Sequence, residues 1–151
     1  MDLRASLEAD CTPEALFEWV GALDTYDRWL DIVPRTAGAA PIDGDPGPAW
    51  EVTLRGRLGP LARSKRLRMV RTEHRPPVGD EPGCAVFERR ETDGRDHATW
   101  RLGATVDATA TGSRLVMDLH YGGSLWVPLL DRVLNSEIDS SRRRLRALVE
   151  S

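Results

Sequence analysis

SLWVPLLDRVLNSEIDSSRRRLRALV, residues 124–149, is the only long stretch of this chain with sustained helical periodicity. Val127, Leu130, Leu134, Ile138, Ser141, Leu145 and Leu148 recur every three or four residues, and Trp126, Leu129 and Val133 widen the stripe. Pro128 is tolerated only in a first turn, so the helix begins within a few residues of it. Asp131, Glu137 and Asp139 fall in or near the first half and Arg142, Arg143, Arg144 and Arg146 near the end, the arrangement the helix dipole prefers. A helix of about 22 residues is about 33 Å long, roughly the width of a small domain. It needs a broad apolar surface to lie on.

The segments before it supply that surface. Gly122-Gly123 lets the backbone swing into the helix from a strand carrying Leu115, Met117, Leu119 and Tyr121 on one parity. A preceding strand carries Trp100, Leu102, Ala104, Val106 and Ala108, and Asp93-Gly94 marks a hairpin turn before it. Residues 84–92 form a strand of ambiguous parity, because Val86 and Phe87 are both apolar. Residues 63–74 form another, with Leu67, Met69 and Arg71 sharing a face; the turn at Gly59-Pro60 separates it from the cleanest alternation in the chain, Trp50, Val52, Leu54, Gly56 and Leu58. Residues 35–43 read as a weak strand ended by the turn-rich Asp43–Pro48. At the start, Leu3, Ala5, Leu7 and Ala9 alternate with polar residues. Thr12-Pro13-Glu14 then opens a short helix, with Leu16, Trp19, Val20 and Leu23 on one face. Asp24 caps a second, whose Tyr26, Trp29, Leu30 and Val33 point one way until Pro34.

The order is strand, two short helices, about six further strands and a long helix, which gives an α+β class. Hairpin-length connections make the sheet antiparallel. Its alternation leaves one face covered and one wet, and the single long helix must cover the apolar face of a sheet that curls around it.

Composition narrows the function classes. With 151 residues the chain reads as one domain over 1–151, large enough to bury a core. A net charge of −3 with mixed signs favours neither nucleic acid nor an anionic membrane as partner. Lys65 is the only lysine. Cys11 and Cys84 match no metal or redox spacing and are expected to be free thiols. The charged, alternating N-terminus is no signal peptide and no apolar run is long enough to span a bilayer, so a cytoplasmic protein without membrane insertion is expected, as monomer or homodimer.

The order of elements, with Thr12-Pro13-Glu14-Ala15-Leu16-Phe17-Glu18-Trp19-Val20 followed by Tyr26-Asp27-Arg28-Trp29-Leu30, resembles the START/Bet v 1-like (SRPBCC) superfamily over nearly the whole chain. Its bacterial members include polyketide cyclase/dehydrase and lipid transport proteins. The resemblance implies a helix-grip fold, a curved sheet of about seven strands wrapped around the C-terminal helix, with a cavity between them for an apolar molecule. It assigns no particular ligand, because activities within one fold vary.

Strong catalytic signatures are missing: the sequence has no glycine-rich phosphate loop, zinc helix, nucleophile elbow or Cys-x-x-Cys. His74, His97 and His120 are scattered, and neither a metal nor a cofactor is expected. The apolar parity set Trp50, Val52, Leu54, Met69, Phe87, Trp100, Leu102, Met117, Leu119 and Tyr121 either fills a core or lines a pocket; the resemblance favours the pocket, and the small Gly56 and Ala104 would leave space in it. On the helix, Val127, Leu130, Leu134 and Ile138 are then expected to face a ligand, and Leu145, Leu148 and Val149 to pack as core. Polar candidates are Arg71, Glu73, Arg89 and Glu91, as Arg–Glu pairs across adjacent strands, and Tyr121, the one weak candidate for catalysis. Ser64, Arg66 and Arg68 are expected on the solvent face. Three functions fit: non-covalent binding of a small hydrophobic or aromatic ligand; a cyclase/dehydratase acting on a polyketide-like chain; or a quinone- or lipid-binding interaction module that presents Trp126 and the short helices to a protein partner.

Overall fold

The computed structural model describes residues 1–58 and 60–151. The turn expected at Gly59-Pro60 therefore lies partly outside the described residues. Strand β1 (Asp2–Ala9) leads into helix α1 (Pro13–Val20) and a 3-10 helix (Leu23–Arg28). Six strands follow: β2 (Arg35–Ala39), β3 (Ala49–Leu58), β4 (Leu61–Arg75), β5 (Gly83–Arg89), β6 (Trp100–Ala108) and β7 (Ser113–Tyr121). The chain ends in α2 (Val127–Arg132), a π turn (Val133–Glu137) and α3 (Ile138–Val149), which together form one long C-terminal helix.

The seven strands make one antiparallel sheet in the order β1-β7-β6-β5-β4-β3-β2. From β2 to β7 each strand pairs with its successor in sequence, as short connections dictate. β1 instead closes on β7, so β1 and β2 are the two edges and the short helices carry the chain from one edge to the other. Opposed residues bring the apolar parities together: Leu3 and Leu102 flank Leu119, Ala5 and Ala104 flank Met117, and Trp50 faces Met69. Thr12 caps α1 as its sequence requires, its Oγ1 accepting from the Ala15 N–H at 3.1 Å.

An aromatic cluster fills the middle of the core. Tyr26 lies 4.8 Å from Trp29 and 6.2 Å from Phe87, whose ring is in turn 5.7 Å from Trp50, centroid to centroid. The edge-on angles of the two Phe87 pairs are the geometry aromatic quadrupoles prefer. The Tyr26 hydroxyl donates to the Val20 carbonyl at 2.8 Å, and burial raises its pKa far above the ordinary phenol value.

Several local expectations give way to side-chain chemistry. The second short helix is a 3-10 helix without a side-chain cap, and Asp24 instead accepts from the indole N–H of Trp50. Asp93-Gly94 does not join two strands directly: β5 stops at Arg89 and β6 starts at Trp100, and Asp93 holds the loop by accepting from the Arg95 N–H at 3.0 Å and contacting His97 Nε2 at 2.9 Å. The weak strand over 35–43 is only Arg35–Ala39. Arg68 is buried rather than solvated, because its guanidinium pairs with Asp45 at 2.8 Å and donates to the Ala40 and Arg90 carbonyls, tying the loop between β2 and β3 onto β4. The hydrogen bonds from Arg68 hold the Asp45 carboxyl below the usual carboxylate range.

Candidate functional site

Sheet, 3-10 segment and C-terminal helix do not meet everywhere, and between them lies a cavity of about 150 Å³. The helix contributes Leu130, Val133, Leu134 and Ile138. The sheet contributes Leu3, Ala5, Val52, Leu54, Leu67, Met69, Trp100, Leu102, Met117 and Leu119, with Arg4 on β1. Leu23, Tyr26, Trp29, Leu30, Ile32 and Val33 close the remaining side. The inner surface is wholly apolar.

Each wall follows from its local sequence. On β3, β6 and β7 the period-two alternation aims one parity inward. Residues 23–33 present Tyr26, Trp29, Leu30 and Val33 to the cavity, the one-sided set visible in the sequence; their place in the wall was not, since only the path from edge to edge of the sheet brings the segment against β2 and β3. At the helix, the wall coincides with the π turn, where the Ile138 N–H reaches back to the Val133 carbonyl and the Ser136 hydroxyl donates to the Arg132 carbonyl at 2.7 Å.

Of the residues picked out in the sequence, Val52, Leu54, Met69, Trp100, Leu102, Met117, Leu119, Leu130, Leu134 and Ile138 come together around this space. Trp50 and Phe87 are buried in the aromatic cluster beside it, and Val127 packs half-buried against the core. Gly56 leaves no space: a Cβ there would collide with Leu129, whose side chain already occupies the gap. Leu145 and Val149 are buried at the far end of the helix, with Leu148 packed beside them.

The polar candidates are elsewhere. Arg71 donates to the Gly21 carbonyl at 2.8 Å and lies over the Trp50 ring at 5.9 Å; burial draws its guanidinium below the ordinary value, opposed by Asp24. A bulge between Arg71 and Glu73 breaks the parity of β4, so Glu73 ends in an exposed pair with Arg75 rather than facing Arg89 or Glu91. Arg89 instead pairs with Glu91, two residues on, at 3.3 Å and donates to the Ala98 carbonyl, and Glu91 also accepts from the Arg68 backbone N–H at 2.7 Å. These groups fasten the loop between β5 and β6. Tyr121 is buried with its hydroxyl accepting from the Trp126 backbone N–H at 3.3 Å, where it holds the Gly122–Trp126 connection. Trp126, which the interaction-module reading places on the surface, is buried 6.4 Å from Trp100. Of the histidines, His120 pairs with Asp2 at 2.8 Å and His74 stacks on Phe17, where burial and then Arg71 lower its pKa.

Two polar atoms of the lining residues are buried in the core and contribute nothing to the apolar inner surface. The indole N–H groups of Trp29 and Trp100 are buried and have no hydrogen-bond partner among the described residues. Trp50, with its N–H donated to Asp24, shows the more usual outcome for a buried indole.

The family model for polyketide cyclase/dehydrase and lipid transport matches residues 1–150. Among solved structures, a START superfamily protein from Mycobacterium smegmatis superimposes with a TM-score of 0.67 at 14% identity, covering 98% of this chain and 96% of that one. TTHA0849 from Thermus thermophilus gives a TM-score of 0.66 at 15% identity, covering 99% and 97% of the two chains. A STAR-related lipid transfer protein from Xanthomonas axonopodis gives 0.66 at 11% identity, covering 98% and 85%. At such identities these likenesses concern the fold. No curated protein matches the sequence.

Proposed function

This chain belongs to the polyketide cyclase/dehydrase and lipid transport family, and from that premise we propose that it binds a small hydrophobic molecule non-covalently between the sheet and the C-terminal helix. The observation that carries this reading is the cavity of about 150 Å³ with a wholly apolar inner surface. A dry apolar void of this order is large enough to admit a benzene-sized ring. Protein interiors are otherwise close-packed, and a void forfeits dispersion contacts on every side chain around it. An apolar ligand restores those contacts and leaves water in the same step.

A cyclase or dehydratase needs an acid or base within hydrogen-bond reach of the reacting carbonyl. Among the described residues no such acid or base reaches the cavity surface, and the Tyr121 hydroxyl is engaged with Trp126. Binding is therefore the better-supported activity. Native mass spectrometry of the freshly purified protein, followed by titration of apolar ligands monitored by tryptophan fluorescence, tests it. Uptake is expected in the unmodified protein and its loss in Ala5→Phe, which fills the cavity from β1. No uptake from a broad panel of apolar compounds overturns the reading.

A further inference from the structure

We propose that the molecule held in this cavity is a hydrocarbon of single-ring size, without any hydrogen-bonding group. The inference rests on the reading that the cavity is a binding site, and it names the class of compound that fits. The side chains around the enclosed space present no polar surface to it. Where lining residues carry polar groups, those groups are turned away or covered. The Tyr26 hydroxyl gives its proton to the Val20 carbonyl inside the core. The indole nitrogens of Trp29 and Trp100 are buried and add nothing to the inner surface. Arg4 has the opposite parity on β1 from Leu3 and Ala5, and its guanidinium pairs with Asp118 at 2.9 Å on the outer face of the sheet. No Asp, Glu or His belongs to the described lining.

Such a wall selects by what a ligand gives up on leaving water. A hydroxyl, carbonyl or amine placed here loses its hydrogen bonds to water and finds no partner. A carboxylate or ammonium would in addition lack a counter-charge. Carbon and hydrogen forfeit nothing on the same transfer and gain dispersion contacts with the wall. A polyketide-like chain, with oxygen on alternate carbons, would bury several unpaired groups at once. Size acts in the same direction. About 150 Å³ takes a ring with a short substituent, and a ligand of that size lies inside, away from the water at Arg4 and Leu134, the exposed members of the lining. Toluene is the simplest compound that satisfies both conditions.

Toluene and phenol test this, because they differ only in CH₃ against OH on the same ring. Calorimetric titration gives the two affinities, and ¹³C-methyl labelling of methionine shows where each probe sits, since Met69 and Met117 both line the cavity. Toluene should bind and move the Met69 and Met117 methyl signals, and phenol should bind about 5- to 150-fold more weakly. Met117→Gln puts an amide at the wall on a half-buried side chain of similar length, and should narrow that ratio by favouring phenol. Phenol binding less than about fivefold weaker than toluene, or a ratio unchanged in folded Met117→Gln, overturns the inference and leaves the cavity a binding site. If toluene is not taken up while another apolar compound is, this inference fails alone. If no apolar compound is taken up, the reading of the cavity as a binding site fails with it. Should Met117→Gln not fold, the ratio in the unmodified protein still decides.

Discussion

Between Val127 and Ile138 the C-terminal helix turns Leu130, Val133, Leu134 and Ile138 towards a cavity, while between Ser141 and Val149 it sets Ser141, Leu145 and Val149 into packed side chains on β1 and α1. Both halves belong to one amphipathic stripe in the sequence. They differ in what lies opposite. The second half packs on β1 and α1, where Arg146 donates to the Glu8 carbonyl at 3.2 Å, and Ser141 Oγ accepts the N–H of Asp31, in the segment before β2, at 3.2 Å, with Arg144 paired to Asp31 alongside. The first half spans the concavity of the curled sheet, which one helix does not fill. A hydrophobic stripe thus reports which face turns inward and leaves open whether that face meets atoms or space.

Substitutions can break this comparison. The largest effect is expected from Leu145→Ala, which removes a side chain only 1% exposed; urea denaturation should show a loss of about 2–5 kcal/mol, with ligand affinity nearly unchanged. Gly56→Ala should cost less, about 1–3 kcal/mol, by forcing Leu129 off the sheet where α2 is seated. Unaltered stability there would mean that the first half rests on β3 only loosely. Leu134→Ala should cost less than about 1 kcal/mol, because the side chain is 36% exposed, yet it should widen the range of ligands accepted, read as a change in relative affinities across alkylbenzenes of increasing size. A loss as large as that of Leu145→Ala would erase the distinction between the two halves.

The smallest and most selective effect is expected from Asp45→Asn, which touches neither half. The Asp45 carboxyl titrates below its unfolded value, so its pairing with Arg68 adds stability that is present above ordinary carboxylate pKa values and is lost as pH falls through the depressed one. An acid titration of stability should be shallower in Asp45→Asn, with ligand binding at neutral pH unaffected. An unchanged acid limb would show that the Arg68–Asp45 pair does not contribute.

Much of the fold was legible because strand alternation and helical periodicity are local. The alternation on β3, β6 and β7 and the capped start of α1 survive unaltered into the structure. What could not be read depended on single residues whose partners are distant in sequence. The bulge beyond Arg71 turned Glu73 away from its parity, and Asp45 made a buried residue of Arg68. The cavity was half legible for the same reason: alternation marks which strand residues turn inward, whereas the seat of Trp29 depends on how residues 23–33 cross the molecule. The unmet donors of Trp29 and Trp100 are properties of the assembled core, and no spacing in the sequence announces them.

The π turn between Val133 and Glu137 has a consequence for length as well as shape. It takes up about one residue more than an α-helical turn, and each residue of an α-helix advances about 100° around the axis. The turn therefore acts as a phase shifter between the two halves, letting the anchoring residues and the cavity residues point to their separate targets from one rod. Deleting a single residue there would remove the residue that the wide turn absorbs and leave α3 on its seat, whereas the same deletion in regular helix before α3 would turn α3 by roughly that angle and swing Leu145 away. Gaining or losing a residue at this point would retune the cavity without altering one strand of the sheet.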